Sequence, residues 1–213
     1  AIFFACILSP ILEIMSALGD LIELFSKLPN LGPRSARRIV LYLLKNKEKI
    51  IPQVITSLND LKSSLTFCEN CGNVDISSPC SICNSNKRKS EKVCVVEDIG
   101  DLWAIEKSKA YDGHYHVLGG VLSAIDGIGP DELNISSLMK KVQSKKINEI
   151  ILATNATVEG QITAQFIADS CEKKEILVTR LAQGIPIGGE LDSVDYNTLS
   201  TAFSSRSEMK TKF

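Results

Sequence analysis

Neither sign of charge dominates: 24 Lys and Arg face 25 Asp and Glu, leaving the 213-residue chain at −1 near neutral pH. A global electrostatic pull on nucleic acid is thereby excluded, and any phosphate affinity has to come from local clusters. Long apolar runs are missing as well. Residues 1–14 are apolar, but Pro10 and Glu13 interrupt them, and a membrane span needs roughly 20 apolar residues. A secretory leader opens on basic residues, and none occurs before Lys27. Residues 1–14 are therefore expected to be an apolar leader foreign to the native protein, with Met15 as the true start. A fully paired disulfide framework is excluded by the odd count of seven cysteines, Cys6, Cys68, Cys71, Cys80, Cys83, Cys94 and Cys171. One dense cluster with three scattered thiols fits metal binding in a reducing compartment, so cytoplasm is the expected location. Histidine is scarce. His114 and His116 would share one face of a strand, but no third ligand stands near them, and a structural role is expected.

What remains suits a folded protein: 44% hydrophobic and 23% charged residues, with no repeat of solenoid length. Leu18, Leu21, Ile22, Phe25 and Leu28 recur at helical spacing, predicting a helix over 16–28. Pro33 suits the first turn of a second helix ending near Leu44, and a third is predicted from near Pro52. A cysteine cluster and a polar connector, Asn84 to Lys92, follow. Short apolar runs at Val93–Val96, His116–Leu118, Glu149–Ala153 and Ile176–Thr179 then alternate with helical patterns at 102–110, 133–142 and 162–168. That alternation predicts an α/β domain on a mostly parallel sheet, within an α+β multidomain chain. The expected divisions are 15–66, 67–84, 92–187 and a C-terminal segment, 188–213, with a short helix at 198–205.

The most informative stretch of the first domain is Leu28-Pro-Asn-Leu-Gly-Pro-Arg-Ser-Ala-Arg-Arg38. Gly32 is expected to supply a positive φ between two helices. The amides at the head of the second helix lack intrahelical partners and carry the positive end of its dipole, a site for a phosphate oxygen. At about 100° per residue, Arg34, Arg37 and Arg38 share one face, opposite Ala36, Ile39, Val40 and Leu43. Seven basic residues and one acid lie between Lys27 and Lys49. This resembles the helix-hairpin-helix pattern, which reads DNA backbone rather than sequence. Asn30 stands where that pattern has glycine, and asparagine tolerates positive φ well.

Cys68-x-x-Cys71 and Cys80-x-x-Cys83 form two knuckles eight residues apart. Four thiolates held by two turns make a closed tetrahedral site, expected to hold structural zinc ahead of an iron–sulfur cluster or a redox pair. Cys94 and Cys171 are expected to be buried, Trp103 to be core, and Lys87, Arg88 and Lys89 to be solvated. Asp126 to Glu132 is read as a turn.

Glu97 closes a strand, and Asn155-Ala-Thr157-Val-Glu159-Gly-Gln161 follows another. This arrangement resembles the Toprim domain, whose metal-dependent members hold magnesium with the strand-end glutamate and an Asp-x-Asp pair. Asn155 and Thr157 occupy the Asp-x-Asp positions. Two anionic ligands are gone, and hard cations need carboxylate oxygens.

In order along the chain, residues 28–38, the four cysteines, Tyr115-His-Val-Leu-Gly-Gly120, Asp126-Gly-Ile-Gly-Pro130, Thr157-Val-Glu-Gly160, Thr179-Arg-Leu-Ala182 and Gly188-Gly-Glu-Leu191 resemble the RecR family of recombination mediators, from about Met15 to Arg206. The resemblance implies a non-catalytic, ring-forming homo-oligomer, dimeric or tetrameric, that clamps DNA. It implies action with RecO and RecF to load RecA on gapped DNA. It also implies that Arg34 and Arg38, with Arg37 as a helper, contact DNA, and that a surface including Glu97 and Glu159 meets RecO. Ala124 and Ser193 depart from the family pattern. Two other readings compete: a metal-dependent Toprim nuclease or primase-like enzyme, and a zinc-ribbon adaptor whose hairpin contacts protein.

Overall fold

The computed structural model describes residues 16–144, 147–172, 174 and 176–208. The expected leader at 1–14 and Cys6 lie outside them. The chain divides into two units, Ala1–Ser64 and Leu65–Phe213.

The first unit is helical. α1 covers 16–26, α2 spans Pro33–Lys45 and α3 spans Lys47–Ser64. Asn30 takes φ 61° in the turn before α2, whereas Gly32 is extended at φ −74°, ψ 166°. The positive φ expected at Gly32 thus falls two residues earlier, on the asparagine. The third helix begins at Lys47 rather than near Pro52. Asn46 ends α2 through its amide bonds to Leu43 and Tyr42, while its own carbonyl accepts from Ile50 at 2.9 Å and starts α3. Pro52 lies inside α3 and forgoes one ladder bond. Among the described residues of these helices only Ala36 and Val40 are fully buried. Val54, Ile55, Leu58 and Leu61 of α3 remain exposed.

The second unit opens with a small hairpin, β1 (Thr66–Phe67) antiparallel to β2 (Val74–Asp75). Its main sheet comprises β3 (Lys89–Val96), β4 (Gly113–Val117), β5 (Glu149–Ala153) and β6 (Leu177–Arg180), in the order β4-β3-β5-β6 and parallel throughout. The helices are α4 (Ile99–Ser108), α5 (Ile135–Ser144), α6 (Val158–Cys171) and α7 (Tyr196–Ser204). Side chains alternate across the central strand. Val93 and Val95 pack with residues of α5 and α6, and Cys94 and Val96 pack with Leu102 of α4, Tyr115 and Val117. Burial on both faces is why Val93–Val96 reads as an unbroken apolar run. The predicted α/β class and parallel sheet are borne out.

Three expectations need correction. Lys89–Lys92 begins β3 rather than ending a connector. Arg88 is folded in rather than solvated: its Nη1 donates to Glu106 Oε1 and to the Gly113 carbonyl, both at 2.9 Å. Trp103 is 57% exposed, because the buried stripe of α4 runs through Leu102 with Ile99 and Ile105. Cys94 and Cys171 are buried as expected, and burial pushes the Cys94 thiol up to about 12.

Candidate nucleic-acid interface, metal centre and carboxylate clasp

Arg34, Arg37 and Arg38 are all exposed on α2, opposite the buried Ala36 and Val40. None is ion-paired among the described residues; the nearest pairs along the chain are Lys27–Glu23 and Lys47–Glu48. No side chain caps the helix start, and Pro33 occupies its first turn. A Cβ at Gly32 would meet nothing within 4 Å. The amide-rich end of α2 is therefore bare and flanked by three cations, an arrangement that attracts anions.

In the second unit the four cysteine Sγ atoms lie within 4.8 Å of one another. Four thiolates at about 2.3 Å from a tetrahedral zinc would stand about 3.8 Å apart, so the spacing fits a single ion. Local turns build this geometry. Cys68 N–H donates to Asn73 O at 2.7 Å and Gly72 N–H to Cys68 O at 2.8 Å. Gly72 takes φ 78° there, where a Cβ would also press on Val117. In the second knuckle, Asp75 accepts from the Ser81 amide at 2.7 Å and from the Ser81 hydroxyl at 2.8 Å. Cys68, Cys71 and Cys80 are buried and Cys83 half-buried. Burial opposes the Cys68 thiolate, but backbone amides of Cys80, Cys71 and Asn70 outweigh it and bring its pKa to about 7. Hydrogen bonding with Cys83, then burial, pushes Cys71 up, and burial pushes Cys80 up. A divalent cation among the sulfurs would favour the deprotonated thiolates. All four positions are protein ligands, so the site is closed to substrate. A bond from Val117 N–H to Cys71 O at 2.8 Å ties the knuckle to the end of β4.

The strand-end acid, Glu97, is 9% exposed. One carboxylate oxygen accepts from the Asn155 backbone amide at 2.7 Å and the other from Asn155 Nδ2 at 2.6 Å. Thr157 is the N-cap of α6, and its hydroxyl accepts from Gly160 N–H at 3.1 Å. Gly160 has no room for a side chain: a Cβ would collide with the Asn155 carbonyl and stand 2.6 Å from Glu97 Oε1. Glu159 sits half-exposed in the first turn of α6. Sequence reasoning brought Glu97 and Asn155 to adjacent strand ends but missed their bond; the one available signal was an amide where a carboxylate was expected.

His116 is 2% exposed. Its Nε2 pairs with the Asn134 carbonyl at 2.8 Å, and Lys141 Nζ lies 3.1 Å from its Nδ1. The two histidines form no metal cluster among the described residues. No described helix is long and apolar enough to cross a membrane.

Fold and site together define a multidomain protein with a basic helical hairpin suited to DNA backbone, a four-cysteine metal module and a Toprim-type sheet. Residues 18–61 match the family described as RecR, helix-hairpin-helix, residues 91–182 match the Toprim domain and residues 184–207 match RecR, C-terminal. Recombination protein RecR of Anaplasma phagocytophilum is 50% identical over 189 residues, covering 89% of this chain and 97% of that protein. Those of Parvibaculum lavamentivorans and Ehrlichia chaffeensis are 50% and 49% identical, over 87% and 89% of this chain and 94% and 97% of theirs. The chain belongs to the RecR family.

Proposed function

We propose that this chain is a non-catalytic DNA-binding scaffold of recombinational repair in the cytoplasm. It grips the DNA backbone through Arg34, Arg37 and Arg38, independently of sequence. The observation that carries this reading is the bare, uncapped start of α2 with three unpaired arginines on its outer face. Phosphates bind such a helix end without base contacts. The four cysteines hold zinc as a structural ion, since tetrahedral thiolate sets suit zinc and leave no reactive position. The carboxylate clasp supports the absence of catalysis: Glu97 already spends both oxygens on Asn155, leaving little for a magnesium ion.

Membership of the RecR family supports the partner reading. The chain acts with RecO and RecF to load RecA on gapped DNA. Glu159 belongs to the surface that meets RecO, and Glu97 contributes by holding the adjoining loop. A homo-oligomeric ring, dimeric or tetrameric, is supported by the exposed apolar residues of α3, which a second copy would cover.

The test compares DNA affinity of the wild type with that of Arg34→Ala plus Arg38→Ala across a salt series. At moderate salt the double variant is expected to bind at least tenfold more weakly, with a log–log salt slope shallower by about 2. Unchanged affinity would favour the protein-adaptor reading. Magnesium-dependent strand cleavage or primer synthesis that disappears in Glu97→Ala would favour the enzyme.

A further inference from the structure

The outer face of α2 carries two residues for which phosphate binding has no use. At about 100° per residue, Tyr42 lies one turn beyond Arg38, Leu41 lies beside them, and Lys45 completes the stripe. Tyr42 is 58% exposed, and Leu41 is exposed too. Arg34, Arg37, Arg38, Leu41, Tyr42 and Lys45 together line one surface depression of about 410 Å³. The helix is firm beneath the ring: the Tyr42 carbonyl accepts from Asn46 N–H at 3.2 Å and from Asn46 Nδ2 at 2.9 Å.

A face that only neutralised phosphates would be best served by polar neighbours for its cations. Here an aromatic ring and an aliphatic side chain sit among four cations instead. An aromatic face within a basic groove is the chemistry that holds an unpaired nucleobase, since every base has a π-face and the surrounding cations track its backbone. In a duplex those faces are stacked on neighbouring pairs and out of reach.

We infer that Tyr42, beside Leu41 and flanked by Arg34, Arg38 and Lys45, is a stacking platform for an unpaired base and biases the hairpin toward single-stranded or gapped DNA. This rests on the DNA-binding reading of α2 and adds to it the means of telling single strands from duplex.

The experiment uses the full-length protein with labelled oligothymidine and a blunt duplex of equal length, read by fluorescence anisotropy. Tyr42→Ala is expected to weaken single-strand binding about tenfold, with duplex affinity and salt slope unchanged, and Tyr42→Phe to restore it. A second variant, Tyr42→Trp in a Trp103→Phe background, is expected to lose indole fluorescence on adding oligothymidine but not on adding duplex. Equal losses on both DNAs, or none on the single strand, would overturn the inference. So would a Tyr42→Ala variant whose assembly mass falls, because the ring would then belong to a contact between copies. The arginine double variant separates this failure from that of the parent reading. If it weakens both DNAs while Tyr42→Ala weakens neither, only the stacking platform is refuted; if it weakens neither, the hairpin reading falls with it.

Discussion

Gly160→Ala tests how tightly the loop between β5 and α6 is packed against Glu97. Gly160 lies in the first turn of α6, where alanine would ordinarily stabilise a helix by about 0.5–1 kcal/mol. The local geometry reverses that sign. The added Cβ would collide with the Asn155 carbonyl and come within 2.6 Å of Glu97 Oε1 and 3.1 Å of Thr157 Oγ1. Two of these neighbours are fixed, one as backbone and the other as the buried acceptor of the Asn155 bonds. Overpacking costs about 1–3 kcal/mol, and losing a hydrogen bond to a buried charged group adds roughly 1.5–3 kcal/mol. Set against the helix gain, the expected loss is about 1.5–5.5 kcal/mol.

Urea denaturation reads this as a lower midpoint at unchanged slope. Glu97→Ala alone is also expected to destabilise, by removing both bonds that hold Asn155 to the end of β3. In the double variant the Glu97 carboxylate is gone and only the Asn155 carbonyl and Thr157 hydroxyl still press on the new Cβ, so the two losses should fall short of additive by about 1 kcal/mol or more. A Gly160→Ala protein as stable as wild type would refute the reasoning, as would strict additivity with Glu97→Ala.

Three further outcomes are expected. Stripping the metal with a strong chelator should release one divalent ion per chain and open the four cluster thiols to a thiol reagent, while Cys94 and Cys171 stay protected; metal analysis with thiol counting checks this. Burial, then the Lys141 charge, hold the His116 imidazole down to about 4 against its bond with Asn134. A depressed histidine costs nothing above its ordinary value and loses stability as pH falls from about 6.5 toward 4, here by roughly 3 kcal/mol. His116→Gln, which keeps a donor and does not titrate, should flatten that part of the pH profile in urea melts. Leu58→Glu places a charge on the exposed apolar face of α3, and light scattering should find a smaller assembly; an unchanged mass would remove this face from the oligomer contact.

Patterns confined to a short stretch were legible. The cysteine spacing announced its cluster because two tight turns suffice to bring four sulfurs together. Val93–Val96 announced a central strand because both of its faces are buried. Lys89–Lys92 carried no such signal, since the near half of β3 is exposed or half-exposed. Pro52 misled because its position inside α3 depends on where Asn46 starts that helix, a matter of capping rather than of periodicity. Arg88 looked like one of three solvated cations, and its partner Glu106 lies eighteen residues away. The Glu97–Asn155 bond spans 58 residues, and only the pairing of β3 with β5 brings its ends together.

That bond ties two strand ends of a Toprim-type sheet together through an amide and a carboxylate. Two carboxylates facing each other across neighbouring strand ends repel until a divalent ion bridges them. Replacing one by an amide removes the repulsion and supplies, through Nδ2–H, the positive partner the ion would have provided. Thr157 caps α6 by accepting from Gly160 N–H, so Asn155 and Thr157 both stabilise the loop that leads into the helix. Asn155→Asp should reverse the first step. It exchanges a donor 2.6 Å from Glu97 Oε2 for a like-charged acceptor, losing a charge-assisted bond of roughly 1.5–3 kcal/mol and adding repulsion. The variant is expected to unfold at lower urea than wild type, and millimolar magnesium should recover part of the loss while leaving wild type unmoved. Magnesium stabilising the wild type as much as the variant would mean that the amide had never taken the cation's place.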